Sequence, residues 1–336
     1  MTRQHVARAA ACALTVGALA FTAAVGFASG STGVQASEHT VFPETQLSAP
    51  PASAVPEAPS LPAREMAFPA LSARPAYTVY VPEGPDVPRP AVMVLHGMGG
   101  SGPGIATQLL SQARDRNWIV IAPTVPYGDW RDPNQLTGEE LRLLPQLSTL
   151  IDYVRDEAGV KVAGKVMLFG FSRGAQAALR FSMLYPERVG AVAALSAGTY
   201  TVPVRWMLTA SGPAQAPMPF GVFDIEQRAG RGIDALQMTG IRYWIGVGAG
   251  DNREGDVPRQ WDQFLGKTRV ERATRFGAVL SQLGCETYVS IVPNAGHEIV
   301  PAMMDQITGF LGTSVERAQM HAEAGVAALP RPARGG

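Results

Sequence analysis

The chain has 336 residues, 46% of them hydrophobic and 17% charged, and its 28 basic and 28 acidic side chains leave no formal net charge. That length and apolar content suit one large α/β domain or two small ones, with a sizeable core. The even balance, with no basic stripe, removes the electrostatic case for a nucleic-acid partner or an anionic membrane surface.

Arg3 and Arg8 precede an apolar stretch over residues 9–27, followed by small residues at Ala28–Gly30 and Val34–Ala36. This is the pattern of a secretory signal peptide, here residues 1–36, and it implies a secreted protein in the extracellular space or cell envelope. A single membrane anchor is the alternative, because the stretch approaches the roughly 20 residues needed to span a bilayer. Its Ala and Gly content makes it weakly hydrophobic, which favours cleavage near Ser31 or Ser37 and no stable membrane association afterwards. Residues 37–74 are rich in Pro, Ala, Ser and Glu and read as an extended linker. Of the two cysteines, only Cys285 lies beyond the leader, so the folded domain has no intramolecular disulfide and rests on its core.

From Tyr77 the sequence alternates between strand-like and helix-like runs. Strands are predicted at Tyr77–Val81, Ala91–Leu95, Trp118–Ala122, Val166–Phe169, Ala191–Leu195, Tyr243–Val247 and Thr287–Val292. Helices are predicted at Ile105–Arg116, Gly138–Glu157, after Ser172, at Val270–Leu283 and at Ile299–Leu311, with a fraying tail over 313–336. Repeated β-then-α order implies a mostly parallel, doubly wound sheet with helices on both faces, here over residues 75–312. Residues 199–240 are rich in Pro, Gly, Met and aromatics without clear strand order, and a stretch of that length reads as a lid or binding insertion.

In an open parallel sheet the reactive groups collect at the carboxyl ends of the strands. "GFSRG" follows the fourth predicted strand, "GAGD" the sixth and "PNAGHE" the seventh, so Ser172, Asp251 and His297 each lie just past a strand end, in that order. A serine hydroxyl needs an adjacent base to become a nucleophile, histidine has an ordinary pKa suited to that task, and a carboxylate fixes the imidazole tautomer. Gly170 and Gly174 permit a sharp strand-to-helix corner that exposes Ser172. For a developing oxyanion the candidate donors are the N–H groups of Met98, in "HGMGGSG", and of Arg173. His96 reads as a brace for that loop. Glu254 and Asp256 follow Asp251 closely and stand as alternative acids, with Asp251 favoured by its place directly after the strand. Tyr127 and Trp130, in "YGDWRD", and Trp206 and Phe220, in the insertion, are candidate substrate-lining residues. No HExxH or CxxC motif is present, and the glycine-rich "GMGGSGPG" loop lacks the G-K-[ST] ending of a phosphate loop, so neither a metal nor another cofactor is expected.

"LHGMGGSG", "GFSRGAQ" and "NAGHE" together resemble the α/β-hydrolase superfamily, and within it the bacterial esterase and polyester-depolymerase-like (dienelactone-hydrolase-like) branch. The resemblance runs over roughly residues 77–311. It implies a serine hydrolase acting on a small-molecule or polymeric ester, with Ser172, Asp251 and His297 as triad and Met98 and Arg173 as oxyanion hole. It also implies that residues 199–240 form a cap between what are the sixth and seventh strands of that superfamily's fold. An acyltransferase or a serine peptidase could use the same triad, and a non-catalytic binder could use the same fold.

Overall fold

The computed structural model describes residues 63–72 and 74–327, so the leader and most of the linker lie outside the described residues. One eight-stranded sheet carries the fold, in the order β1-β2-β4-β3-β5-β6-β9-β10. Its strands are β1 (Ala63–Phe68), β2 (Ala76–Pro82), β3 (Ala91–Leu95), β4 (Ile119–Thr124), β5 (Val166–Phe171), β6 (Val189–Leu195), β9 (Arg242–Gly248) and β10 (Glu286–Val292). Pairing is antiparallel for β1 with β2 and β2 with β4, and parallel from β4 through to β10. Two short strands, β7 (Trp206–Thr209) and β8 (Gly212–Gln215), form a separate antiparallel hairpin.

The strand residues alternate between two apolar layers, as the two-residue side-chain period demands. Ala91, Met93 and Leu95 of β3 face one layer and Val92 and Val94 the other. The first layer is closed by α3 (Pro133–Asp156), α4 (Arg173–Leu184) and α8 (Arg269–Gln282). The second is closed by α1 (Gly102–Ala106), α2 (Leu110–Asp115) and α9 (Pro301–Ala327). Each Val, Leu, Ile or Phe fully removed from water in these layers contributes about 1.5–3 kcal/mol. The predicted doubly wound sheet is therefore the observed one.

Several boundaries differ from expectation. The linker was expected to run through residue 74, yet Ala63–Phe68 pairs with β2, and Phe68 stacks on Tyr77 with ring centroids 4.7 Å apart. Two apolar side chains, Met66 and Phe68, suffice to bind this segment to the core despite its polar surroundings. The tail expected from residue 313 instead continues α9 to Ala327, because Val315 packs on the second layer and no proline interrupts the run. The single helix expected over 105–116 is two, broken around Thr107–Leu109, where Leu109 turns into the core. Helix α3 starts before Gly138 because Asp132 caps it, accepting from the N–H groups of Asn134 and Gln135, with Pro133 in the first turn.

The insertion lies between β6 and β9, the sixth and seventh strands of the main sheet. It contains the hairpin, α5 (Ile225–Ala229) and α6 (Ala235–Met238), and is followed after β9 by α7 (Asp262–Leu265).

Candidate active site

Ser172 sits at the corner between β5 and α4 with φ +53° and ψ −113°, a conformation that costs an L-residue on the order of 1–3 kcal/mol and persists only where its surroundings hold it. What holds it is visible. Ser172 N–H donates to Leu195 O at 2.8 Å, and the first turn of α4 lies directly against the end of β3. A Cβ on Gly174 would run into the Leu95 carbonyl, and one on Gly170 into the Gly174 carbonyl, so both positions require glycine.

His297 arrives from the loop after β10, and its Nε2 lies 3.0 Å from Ser172 Oγ. Its Nδ1 lies 2.7 Å from Asp251 Oδ2, in the loop after β9. A carboxylate can only accept, so the proton on this bond belongs to Nδ1, and Nε2 is left free to accept from the serine hydroxyl. Asp251 is buried, and burial alone would raise its carboxyl pKa. The His297 hydrogen bond and the Arg269 charge outweigh that effect and hold it below the ordinary value. Asp256, the alternative acid, is engaged elsewhere, with its carboxylate 3.0 Å from Arg253 Nε on the surface. Glu254 likewise pairs with Arg259.

The loop after β3 passes beside the serine. A Cβ built on Gly97 would lie 3.4 Å from Ser172 Cβ. The side chain of Met98 is largely exposed, which leaves its backbone as the functional part. Arg173 opens α4, so its N–H has no intrahelical acceptor. His96 fastens this loop: its Nε2 accepts from Val125 N–H at 3.0 Å, and its Nδ1 therefore donates to Gly97 O at 2.7 Å. Burial pushes its pKa down and favours the neutral ring that both bonds need.

The Arg173 side chain enters a buried charge cluster. One guanidinium nitrogen lies 2.5 Å from Glu140 Oε1 and another bonds Glu139. Arg180, about two turns further along the same face of α4, shares Glu140 Oε1 at 3.3 Å and donates to Thr199 and Thr201. Burial lowers the Arg180 pKa to about 10. The cluster ties α3, α4 and the start of the insertion into one unit behind the serine.

The proposed lining residues divide. Tyr127 packs edge-on against His96 and lies 4.7 Å under the Arg173 guanidinium, so its ring supports the loop after β3. Trp130 is nearly buried and covers Gly198, where a Cβ would strike its ring. Phe220, expected to line a cleft, has its ring packed on Trp261 and Phe264 at the base of the insertion. Trp206 is exposed on the hairpin, edge-on to Phe223. Phe220 thus packs the insertion against the segment that follows β9. The ring that meets His297 is that of Phe171, at 5.2 Å, a residue not singled out in the sequence although it directly precedes the serine. Arg269 was missed as well, since nothing local distinguishes it from Arg272 and Arg275 of the same helix.

The arrangement combines a hydroxyl, an imidazole and a carboxylate in one hydrogen-bonded chain, which can activate a hydroxyl for nucleophilic attack. A curated relative, feruloyl esterase B of Thermothelomyces thermophilus, is 30% identical over 119 residues, covering 32% of this chain and 39% of that protein. The match thus spans well under half the length of that relative. Among solved structures, the poly(aspartic acid) hydrolase of Sphingomonas sp. KT-1 superposes with a TM-score of 0.53 at 20% identity, over 73% of this chain and 96% of that one. The poly(3-hydroxybutyrate) depolymerase of Bordetella parapertussis gives 0.54 at 18% identity, over 75% and 89%. At such identities these two establish the fold, that of the α/β-hydrolases. The family described as "Putative esterase" matches residues 69–274, more than half of the sequence, and the chain belongs to that esterase family.

Proposed function

We propose that the protein is a secreted serine hydrolase that cleaves carboxylic esters through an acyl-enzyme on Ser172. The observation that carries this reading is the hydrogen-bonded chain from Ser172 Oγ through His297 to Asp251. As Ser172 Oγ attacks the ester carbonyl, its proton passes to His297 Nε2, and Asp251 stabilises the imidazolium without taking a proton. The N–H groups of Arg173 and Met98 receive the negative charge on the carbonyl oxygen, a contribution of about 3–4 kcal/mol per well-placed donor. Collapse of the tetrahedral intermediate expels the alcohol, protonated by His297. Water activated by the same imidazole then releases the acid and restores the serine.

Water access favours hydrolysis over acyl transfer to another alcohol. The His297 side chain is 36% exposed, so the deacylating water has a path to Nε2. The complete triad argues against a non-catalytic binder. The names of the relatives, a feruloyl esterase and a poly(3-hydroxybutyrate) depolymerase, support hydroxycinnamate esters and short polyester oligomers as first substrates to try.

The test is a panel of p-nitrophenyl esters of increasing chain length, methyl ferulate and hydroxybutyrate oligomers, with the Ser172→Ala variant as control. Turnover should fall on the order of a million-fold in the variant, and a fluorophosphonate should label wild-type Ser172 stoichiometrically. Ser172→Ala turning over esters at the wild-type rate would end the proposal. Export rests on the N-terminal leader alone; N-terminal sequencing of protein from culture medium should find a start near Ser31 or Ser37. An intact Met1 in the membrane fraction would make it an anchored enzyme instead.

A further inference from the structure

A fourth side chain stands behind the Ser172–His297–Asp251 chain. Arg269, the first residue of α8, is turned inward, and its guanidinium lies 2.7 Å from Asp251 Oδ1. The two side chains are 6% and 1% exposed. A second guanidinium nitrogen donates to Asp256 O at 3.0 Å, so the group is held in its plane from two sides. Asp251 thus has one oxygen for the imidazole and one for the arginine.

We propose that Arg269 is a positioning residue that fixes the Asp251 carboxylate with Oδ2 facing His297 and offsets the charge of that carboxylate beside the imidazole. This rests on the serine-hydrolase reading above. The physical basis is a competition. An ionised carboxylate beside an imidazole favours the imidazolium before substrate has bound, and that form cannot act as a base. A cation on the far oxygen removes part of that preference. The carboxylate still holds the tautomer, and the proton still moves only between Ser172 Oγ and His297 Nε2.

No other group replaces this compensation. From α8, Arg272 gives its donors to the carbonyls of Gly198, Pro258 and Gly266 and to Asp262. The carboxylate of Asp256 pairs with Arg253. Tyr200, packed nearby from the loop after β6, is fully buried, and burial raises its pKa far above the range of enzyme assays. Beside the imidazole, Glu298 accepts from Gly296 N–H in its own loop, and Phe171 contributes only a ring. Among the described residues Asp251 is the carboxylate that Arg269 pairs with.

The test is the pH dependence of kcat/KM on p-nitrophenyl butyrate, from about pH 5 to about pH 9, for the full chain and its Arg269→Met and Arg269→Lys variants. The rate of fluorophosphonate labelling at Ser172 is followed over the same range. In Arg269→Met the acid limb should move up by about one pH unit, with the plateau about 10- to 100-fold lower in kcat and little change in KM. Arg269→Lys should return the limb to its wild-type position while restoring the plateau only in part, since lysine supplies the charge without the fork. Should Arg269→Met fail to fold, Arg269→Gln keeps a donor for Oδ1 without the charge and must show the same displaced limb. An unmoved limb in the folded uncharged variant, or a lysine variant that leaves it displaced, overturns the proposal. Ser172→Ala separates the two levels. If it remains active, the serine mechanism falls first; if it is inactive and the limb is unmoved, only the role of Arg269 falls.

Discussion

His96 and Val125 are joined through the side chain of one and the backbone of the other: the Val125 N–H donates to His96 Nε2 at 3.0 Å. That bond fixes the tautomer, and the remaining ring proton goes to Gly97 O in the loop that runs beside Ser172. A histidine outside the triad thereby sets the path of the backbone that carries the Met98 N–H. Replacing it with alanine should leave KM nearly unchanged and lower kcat by about 100-fold, the scale of losing one oxyanion donor. Steady-state kinetics on p-nitrophenyl butyrate checks this; an unaffected kcat would mean that the loop holds its path without the ring.

The acid assignment separates cleanly by mutation. Asp251→Asn should reduce kcat by about 10,000-fold, because the amide can donate to Nδ1 and reverse the tautomer. Asp256→Asn breaks only a surface pair with Arg253 and should stay within about twofold of wild type. Parallel kinetics of the two variants decides the matter, and the opposite ranking would assign the role to Asp256.

Glu140 tests the buried cluster behind the serine. It is fully buried between Arg173 and Arg180, and its removal would leave the buried Arg180 without a carboxylate and Arg173 with Glu139 alone. Glu140→Ala should cost about 3–5 kcal/mol of stability, seen as a lower urea midpoint with little change in slope. A loss below about 1 kcal/mol would show that Glu139 alone compensates the pair.

Acid stability should depend on Asp251. Its carboxyl has a pKa below the ordinary 3.8 in the folded chain, so the unfolded chain binds that proton more tightly. The resulting stabilisation is complete above 3.8 and fades as the pH falls through the lower folded value. Denaturant midpoints measured from about pH 5 down to about pH 2 should therefore fall less steeply in Asp251→Asn than in wild type. Equal slopes would mean that other carboxylates, such as Glu286, whose pKa is also lowered, dominate the acid transition.

The alternation of apolar runs, the glycines around Ser172 and the order serine, aspartate, histidine after successive strand ends are local properties of the chain. They determined the parallel sheet and pointed to Ser172, Asp251 and His297, because backbone periodicity and turn chemistry act over a few residues. What required the folded structure were relationships between distant segments. Arg269 meets Asp251 only because α8 starts beside the loop after β9, and no sequence pattern marks an arginine that turns inward. Phe220 was read as lining because it is aromatic, yet Trp261 and Phe264, far along the chain, take up its ring. Strand β1 escaped notice because two apolar residues in a polar segment carry little periodic signal until Tyr77 and the edge of β2 are there to receive them. Local pattern chose the elements and the reacting groups. Tertiary packing chose which charges and rings stand behind them, because a buried side chain is placed by whatever surrounds it in space.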